Sequence, residues 1–211
     1  VTVVIQGTKQ STIGSEKIIY GENQYLIAGV DLPSANFVRS AAPERPYLSL
    51  SLQLDKYLIA ELVSEMSEEN FKNKKVYKGV AISDIDEELM GAFLRLLELH
   101  EKPEQVPFMA PLIIREIHYR LLLGPLGQHL RSVHTPNTQS NQIAKAITWM
   151  RHNFKNPLNM DEVARQFGMS TSALHRHFRQ MTTLSPLQFQ KRLRLYEAQR
   201  LMMVESETAY N

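Results

Sequence analysis

The first 54 residues alternate between short apolar-rich runs and breaks that contain glycine or proline. The segment YLSLSLQL has an apolar residue at every second position, the period of a strand with one face on a core. The breaks recur at short intervals, which is typical of tight turns. The pattern predicts a β-sandwich or barrel with short strands at residues 3–6, 17–20, 25–30, 36–39 and 47–54.

The period changes to that of a helix in the segment DKYLIAELVSEM, where apolar residues recur at four-residue spacing. A returning strand is predicted at residues 78–82. Two amphipathic stretches follow at 85–102 and 107–124, and the prolines between them predict an antiparallel helix pair.

The apolar content of this helix pair exceeds a single stripe. One interpretation is that both helices are simply buried against the strands. The other is that the pair packs on the core with one face and on a second copy of the chain with another, and the width of the apolar stripe favours this slightly. It predicts a homodimer through helices 85–124. Residues 135–142 are polar and without periodicity, which predicts a linker between two domains.

The last third of the chain has the pattern of a helix-turn-helix. A first helix with one apolar face ends before Pro157. Asn159 caps the short segment MDEVARQF, and Ser170 caps the next one, TSALHRHFRQM. Ala164 allows two helices to approach closely, and Gly168 can adopt the positive φ that the turn needs.

The second helix of this unit divides into an apolar and a cationic face. With Leu174 as the inward direction, Phe178 and Met181 fall within about 40° of it at about 100° per residue. The opposite side, about 100° to 160° away, carries Ser172, His175, Arg176 and Arg179. Arg is the commonest reader of guanine in the major groove. A solvated cationic face is the alternative, and the turn chemistry favours DNA over it.

A further helix begins at Ser185, where Pro186 occupies the first position and Gln188 completes a capping box. Lys191 and Arg192 lie near its start, close to the preceding unit. This placement favours contact with phosphates over simple solvation.

Charge is distributed unevenly along the 211 residues, although the net charge is only +2. Residues 1–138 hold 14 Lys and Arg against 17 Asp and Glu, a net charge of −3, whereas residues 139–211 hold 10 against 5, a net charge of +5. A polyanion is therefore the expected partner of the smaller, basic part. The 43% of hydrophobic residues is ordinary for a globular chain with a sizeable core.

Composition argues against catalysis and against a membrane. The chain has no cysteine, which excludes a thiol nucleophile and suits a reducing cytoplasm. The first histidine is His100, so no imidazole lies on the early strands, and metal-binding H-x-H or H-E-x-x-H spacing is absent. We expect no cofactor, no metal and no catalytic residue; a metal-dependent cupin enzyme is the remote alternative. No apolar run approaches the roughly 20 residues that span a bilayer.

Two parts of the chain resemble AraC-type (AraC/XylS family) transcriptional regulators. The C-terminal part matches PL-x-x-x-x-[VL]-A, a GMS turn, L-x-R-x-F and SP-x-x-[FY]-x-x-x-x-R-L-x-x-A, the first half of the family's DNA-binding domain. QGTKQ, YGENQYLIAGVDLP, RPYLSLSLQLD and APLIIREIHYRLLLGPLG resemble the effector and dimerisation domain of one subgroup. The resemblance implies a cytoplasmic, sequence-specific regulator that responds to a small-molecule effector, with double-stranded promoter or operator DNA and RNA polymerase as partners.

The resemblance also implies the architecture. The α+β fold would be a partial cupin-like jelly roll with an antiparallel helix pair, followed by an all-α helix-turn-helix unit and a long linker helix. Its parts would be an effector and dimerisation domain at 1–134, a linker at 135–142, and the first helix-turn-helix with the linker helix at 143–211. The base-reading positions fall on Ser172, His175 and Arg176. Contacts to the DNA backbone are expected from Ser170, Thr171, Arg179, Lys191 and Arg192.

The chain departs from the family pattern at two points. Family members usually have glycine where this chain has Thr183, so the helix end is expected to be strained or differently capped. The family's second helix-turn-helix has no counterpart here, and we expect the sequence to be a fragment of a longer regulator, truncated at both ends. This leaves one alternative function, a dimerising protein-interaction module whose incomplete helix-turn-helix does not bind DNA.

The effector would be a small apolar or amphipathic molecule inside the jelly roll. The strand register is open at this point. A barrel filled by its own side chains is the alternative to an effector pocket, and the sequence favours neither. The expected pocket residues are Tyr25, Ile27, Tyr47 and Leu50.

Overall fold

The computed structural model describes residues 1–66 and 76–204, with side chains as far as residue 203. Residues 205–211 of the predicted C-terminal unit lie outside this range. The strands are β1 (Thr2–Gln6), β2 (Thr8–Ile13), β3 (Glu16–Gly21), β4 (Gln24–Ala28), β5 (Ser34–Ser40), β6 (Leu48–Ser51) and β7 (Val80–Asp84). The helices are α1 (Lys56–Glu65), α2 (Glu87–Glu98), α3 (Val106–Leu123), α4 (Gly127–His134), α5 (Gln139–Asn153), α6 (Met160–Gln166), α7 (Thr171–Thr182) and α8 (Pro186–Val204).

The strands form two antiparallel sheets, in the orders β6-β1-β4-β7 and β3-β2-β5. In the four-stranded sheet, Val3 of β1 pairs with Tyr25 of β4, and Leu26 of β4 pairs with Ile82 of β7. Short turns join β2 to β3 and β3 to β4, as the regularly spaced glycines predict. The predicted α+β class, with antiparallel strands before a helical part, is confirmed.

Each face of the four-stranded sheet lies on a different hydrophobic core. Val3, Tyr25 and Ile27 are buried among the helices α1 to α4. Their neighbours Val4 and Leu26 point the other way, into the space between the two sheets. Successive side chains of a strand point to opposite faces, so both β1 and β4 contribute to both cores.

The predicted antiparallel helix pair is formed by α2 and α3. Asp86 caps α2 by accepting a hydrogen bond from the backbone N–H of Leu89 at 2.7 Å. Arg95 of α2 contacts Glu116 of α3 at 2.6 Å, and Arg120 of α3 contacts Glu116 at 2.8 Å. The hydrogen bond from Arg95, and then that from Arg120, hold the pKa of the Glu116 carboxyl below its ordinary value.

Two elements were not predicted from the sequence. Strand β2 has the polar sequence TKQSTI, in which Ser11 and Ile13 are the buried positions, so it lacks the apolar alternation of the other strands. Helix α4 begins at the last residue of the glycine- and proline-rich segment GPLG, a pattern that predicts a break, and its first turn has no side-chain cap. Helix α5 begins at Gln139, so the last four residues of the predicted 135–142 linker are helical.

A third core holds the C-terminal helices together. It contains the inner faces of α5, α6 and α7 together with Phe189 of α8. Three valines from earlier in the chain belong to the same core: Val30, Val76 and Val133. The C-terminal helices therefore pack directly against the N-terminal part of the chain, defined here as residues 1–134.

Burial in the folded chain lowers the pKa of two histidines, His118 and His134. The His118 ring is fully buried; its Nε2 accepts from the backbone N–H of Asp55 at 2.9 Å, and its Nδ1 donates to the carbonyl of Ile114 at 2.7 Å. Burial lowers the pKa of His118. Burial, with a smaller contribution from His118, lowers the pKa of His134 to about 4. The folded chain therefore disfavours protonation of both rings.

Acid is expected to destabilise the fold through His134. The unfolded ring takes up a proton below about pH 6.5, whereas the folded ring resists protonation down to about pH 4. The stability from His134 is thus complete above pH 6.5 and is lost as the pH falls towards 4. Urea unfolding should show a loss of about 2 kcal/mol from this residue between about pH 7 and pH 5.

The matched variants are His134→Gln, which should remove this part of the pH dependence, and His100→Gln, which alters an exposed ring and should retain it. An unchanged pH profile in His134→Gln would contradict the assignment.

Candidate nucleic-acid interface

The turn between α6 and α7 has the geometry that the sequence predicts. Asn159 caps α6, its Oδ1 accepting from the backbone N–H of Asp161 at 3.0 Å. Gly168 has φ 69°, so the predicted positive φ is confirmed. The backbone N–H of Met169 donates to the carbonyl of Ala164 at 2.9 Å, which closes the end of α6. Ala164 is buried where the two helices meet.

Helix α7 presents its two faces as the helical projection predicts. Ser170 caps the helix by accepting from the backbone N–H of Ala173 at 3.2 Å. Leu174, Phe178 and Met181 are buried in the third core. On the outer side His175 is partly exposed, and three further side chains are exposed: Ser172, Arg176 and Arg179.

The hydroxyls at the start of α7 already have partners. Thr171 Oγ1 donates to Asp161 Oδ1 at 2.6 Å and thereby ties α7 to α6. Ser170 Oγ forms the cap and lies 3.2 Å from Ser172 Oγ. Two of the five residues expected at the DNA backbone, Ser170 and Thr171, thus fix the first turn of α7 through their side chains. The orphan N–H groups of that turn carry a partial positive charge that favours phosphate.

Arg176 contacts a residue that the sequence analysis did not select, the buried His177. Arg176 Nη2 lies 3.2 Å from His177 Nε2, and His177 Nδ1 lies 3.1 Å from Gln180 Oε1. Because a guanidinium only donates, Nε2 accepts, and Nδ1 then donates to the amide oxygen of Gln180. This buried ring adjoins the outer face, and the spacing of apolar residues along α7 gives no signal for it.

Three cations in the first half of helix α8 have different surroundings. The predicted capping box at its start is confirmed, with the Ser185 N–H donating to Gln188 Oε1 at 2.9 Å and the Gln188 N–H to Ser185 Oγ at 3.3 Å. Lys191 is exposed. Arg192 Nη1 donates to the carbonyl of Gly14 in the β2–β3 turn. Arg194 donates to the carbonyls of residues 154–156 at the end of α5, where it acts as a structural brace.

A cavity of about 150 Å³ lies between the two sheets of the N-terminal part. Ser11 Oγ donates to Asn36 Oδ1 at 2.7 Å and lies 3.4 Å from the hydroxyl of Tyr20. The polar lining is Thr2, Lys9, Ser11, Tyr20, Ser34 and Asn36, and the apolar lining is Ile13, Leu26, Ala28, Leu32 and Val80.

None of the four residues expected at the effector pocket lines this cavity. Tyr25 and Ile27 are buried on the opposite face of β4, among the helices, and Leu50 packs against the same core. Tyr47 packs at the edge of the core between the sheets, and its buried hydroxyl has no hydrogen-bond partner among the described residues. The cavity is lined instead by Leu26 and Ala28 of β4. Because successive side chains of a strand point to opposite faces, the predicted pocket residues on β4 were out of phase by one residue.

The described part of the chain contains neither a metal-binding cluster of His, Asp and Glu nor a membrane-spanning helix. Among residues 1–66 and 76–204, no group of three or more His, Asp or Glu side chains is arranged to hold a metal ion. No helix in that described part of the chain combines the length and the apolar character needed to cross a bilayer.

The chain is similar in sequence to known transcriptional activators. The HTH-type transcriptional activators RhaS from Escherichia coli strain SMS-3-5 / SECEC and from Escherichia coli O1:K1 / APEC are each 32% identical to this chain over 106 residues. The match covers 50% of this chain and 37% of each relative, so the chain spans well under half their length.

A solved structure of ToxT from Vibrio cholerae O395 aligns with 91% of this chain and 89% of its own at 9% identity. Its TM-score of 0.32 is too low to establish a shared fold. A family model described as the AraC-type transcriptional regulator N-terminus matches residues 1–129, more than half of the chain. The protein therefore belongs to the AraC-type transcriptional regulators.

Proposed function

We propose that the chain is a sequence-specific transcriptional regulator that reads promoter or operator DNA with α7. The orientation of α7 carries this proposal. Its apolar side is buried, while Ser172, Arg176 and Arg179 are exposed on the other side with no acid among them. A helix held in this way can enter the major groove, where Arg recognises guanine through two hydrogen bonds. His175 extends the same face.

The DNA backbone would be bound around the edges of that face. Lys191 is exposed on α8 next to the unit, and Arg179 lies at the far end of α7. The N-terminus of α7, with Ser170 and Thr171, offers backbone N–H groups to a phosphate. The net charge of +5 in residues 139–211 supports this arrangement through long-range attraction.

The cavity between the sheets would hold the effector. Most of its polar groups, including Lys9, Ser11 and Asn36, lie on the three-stranded sheet, whereas Leu26 and Val80 of the other sheet are apolar. This division favours a small amphipathic molecule. The chain would accordingly act by binding rather than by catalysis, in the cytoplasm, with RNA polymerase as a further partner. Its parts would be the effector and dimerisation domain at 1–134 and the DNA-binding unit at 143–211.

A second copy of the chain would cover the outer face of α3. Four large apolar side chains are exposed along one stripe of that helix: Phe108, Leu112, Tyr119 and Leu123. They recur at spacings of four and seven residues, the spacing of one helical face. Leu94 and Leu97 of α2 are half exposed as well. A face of this kind matches itself across a two-fold axis, which favours a homodimer.

Replacing Arg176 with alanine should weaken DNA binding by about 1–3 kcal/mol and relax the preference at one base pair, because one bidentate contact is lost. Fluorescence anisotropy with a duplex from upstream of the gene and with a random duplex, over a salt series, measures both effects.

Lys191→Ala is the matched control. It should weaken binding to both duplexes equally and reduce the salt slope by about 1, because phosphates carry no sequence information. Equal affinity of the unaltered chain for the two duplexes would refute the proposed function and favour the protein-interaction module. An Arg176→Ala chain that footprints like the unaltered one would refute the assignment of α7.

Placing a charge on the α3 stripe should separate the dimer. Leu112→Glu is expected to raise the dissociation constant at least tenfold, because it would bury an unpaired carboxylate in an apolar interface. Sedimentation velocity over a concentration series measures the change. Phe37→Glu, which alters an equally exposed side chain on β5, should leave the dimer intact. A monomer in the unaltered chain, or equal effects of the two variants, would contradict the assignment of this face.

A further inference from the structure

The C-terminus of α7 is capped by residues from the N-terminal part of the chain. The last carbonyls of a helix have no partner within it. At the end of α7, the Met181 carbonyl accepts a hydrogen bond from the backbone N–H of Gly79 at 2.8 Å. Gly79 is buried directly before β7, and its own carbonyl accepts from Gly29 at 2.9 Å. The end of the DNA-reading helix is thereby tied to the four-stranded sheet.

A second tie joins the β2–β3 turn to Thr183. Thr183 has φ 63°, a left-handed conformation that costs energy in a β-branched residue, so the expected strain at this helix end is confirmed. Its Oγ1 accepts from the backbone N–H of Ser15 at 2.9 Å, and Ser15 Oγ lies 3.4 Å from the Thr183 carbonyl. The hydroxyl thus makes a contact that glycine, the usual family residue, would lack.

Gly14 makes this contact sterically feasible. A Cβ atom at residue 14 would overlap both Thr183 Oγ1 and the carbonyl oxygen of Thr182. The turn and the helix end therefore approach as closely as backbones allow, and any side chain at residue 14 would separate them.

The same turn also engages a cation that is expected to bind phosphate. The carbonyl of Gly14 accepts from Arg192 Nη1 of α8. The Nη1–H group of Arg192 is therefore occupied by a protein carbonyl, and its side chain is directed towards the β2–β3 turn. Asp31 and Arg151 add an ion pair at 3.0 Å between the two parts, and Val30 continues the contact into the third core.

We propose that these contacts form a latch, comprising Gly14, Ser15 and Gly79 on one side and Met181, Thr183 and Arg192 on the other. The closed latch completes the C-terminal cap of α7 and withholds Arg192 from DNA. Opening the latch releases Arg192 as an additional phosphate contact, so the open form binds DNA more tightly and with a steeper salt dependence. The DNA part of this proposal rests on the proposed function; the docking of the two parts does not.

Amide hydrogen exchange of the 211-residue chain tests the docking without DNA. The readout is protection of the buried Gly79 amide, which donates to Met181 across the latch. Gly14→Asn should reduce its protection at least fivefold. Asn tolerates the φ of 59° at this position, so the hairpin is retained while the new Cβ overlaps the helix end.

Two substitutions of Thr183 form the matched pair. Thr183→Gly relieves the strain and removes the hydroxyl, and should also lower the protection of the Gly79 amide. Thr183→Ser retains the hydroxyl and should leave it unchanged. Unaltered protection in both Gly14→Asn and Thr183→Gly would overturn the latch.

A salt series with the duplex tests whether Arg192 is withheld. Gly14→Asn should steepen the slope of log K against log salt by about 0.9, the value for one added phosphate contact. Between about 50 mM and about 200 mM salt this corresponds to about threefold more loss of affinity. Arg192→Ala should leave the slope of the unaltered chain unchanged and abolish the increase in the Gly14→Asn background.

The outcomes separate the two proposals. Reduced protection without a change of slope would overturn the role of Arg192. A slope that falls on Arg192→Ala in the unaltered chain would show that Arg192 already contacts phosphate and would overturn it as well. If neither the unaltered chain nor any variant binds the upstream duplex more tightly than the random duplex, the proposed function fails. The hydrogen-exchange results alone then test whether the latch exists.

Discussion

Burial of both faces of the four-stranded sheet is the constraint on which the rest of the structure depends. Along β4, Tyr25 and Ile27 need a cover on one side and Leu26 needs one on the other. Apolar surface left in water would cost about 25 cal/mol for each Å². The helices α1 to α4 therefore have to lie on one side and the second sheet on the other. With the second sheet in place, the β2–β3 turn reaches α7.

Much of the fold could be predicted because local patterns determine it. The change from a two-residue to a helical period located the early strands and the α2–α3 pair, and cap residues located the start of α7 and α8. The prediction from sequence failed where the residue pattern is weak or fits more than one structure. Strand β2 is polar, α4 follows a break signal, and the phase of β4 is ambiguous because both of its faces are buried.

The candidate site was predictable to the same extent. Positive φ at Gly168 and the division of α7 into two faces follow from helix geometry. The partners of Arg192 and Thr183 do not, because Ser15 and Thr183 are 168 residues apart and meet only in the folded chain. The unusual residue was visible in the sequence, since threonine stands at a position that favours glycine. Its partner was not, because no local rule pairs a hairpin turn with a distant helix end.

The close approach at Gly14 has a consequence for how the family can be sorted. A Cβ at that position would meet the backbone carbonyl of Thr182 as well as the Thr183 side chain, so no substitution at 183 alone makes room for it. Any relative that docks its β-hairpin on the helix end in this way must keep glycine in the turn. A relative with a larger residue there must hold its two parts in another arrangement. The residue at the position of Gly14 thus indicates, from sequence alone, whether a relative can dock its hairpin on the helix end.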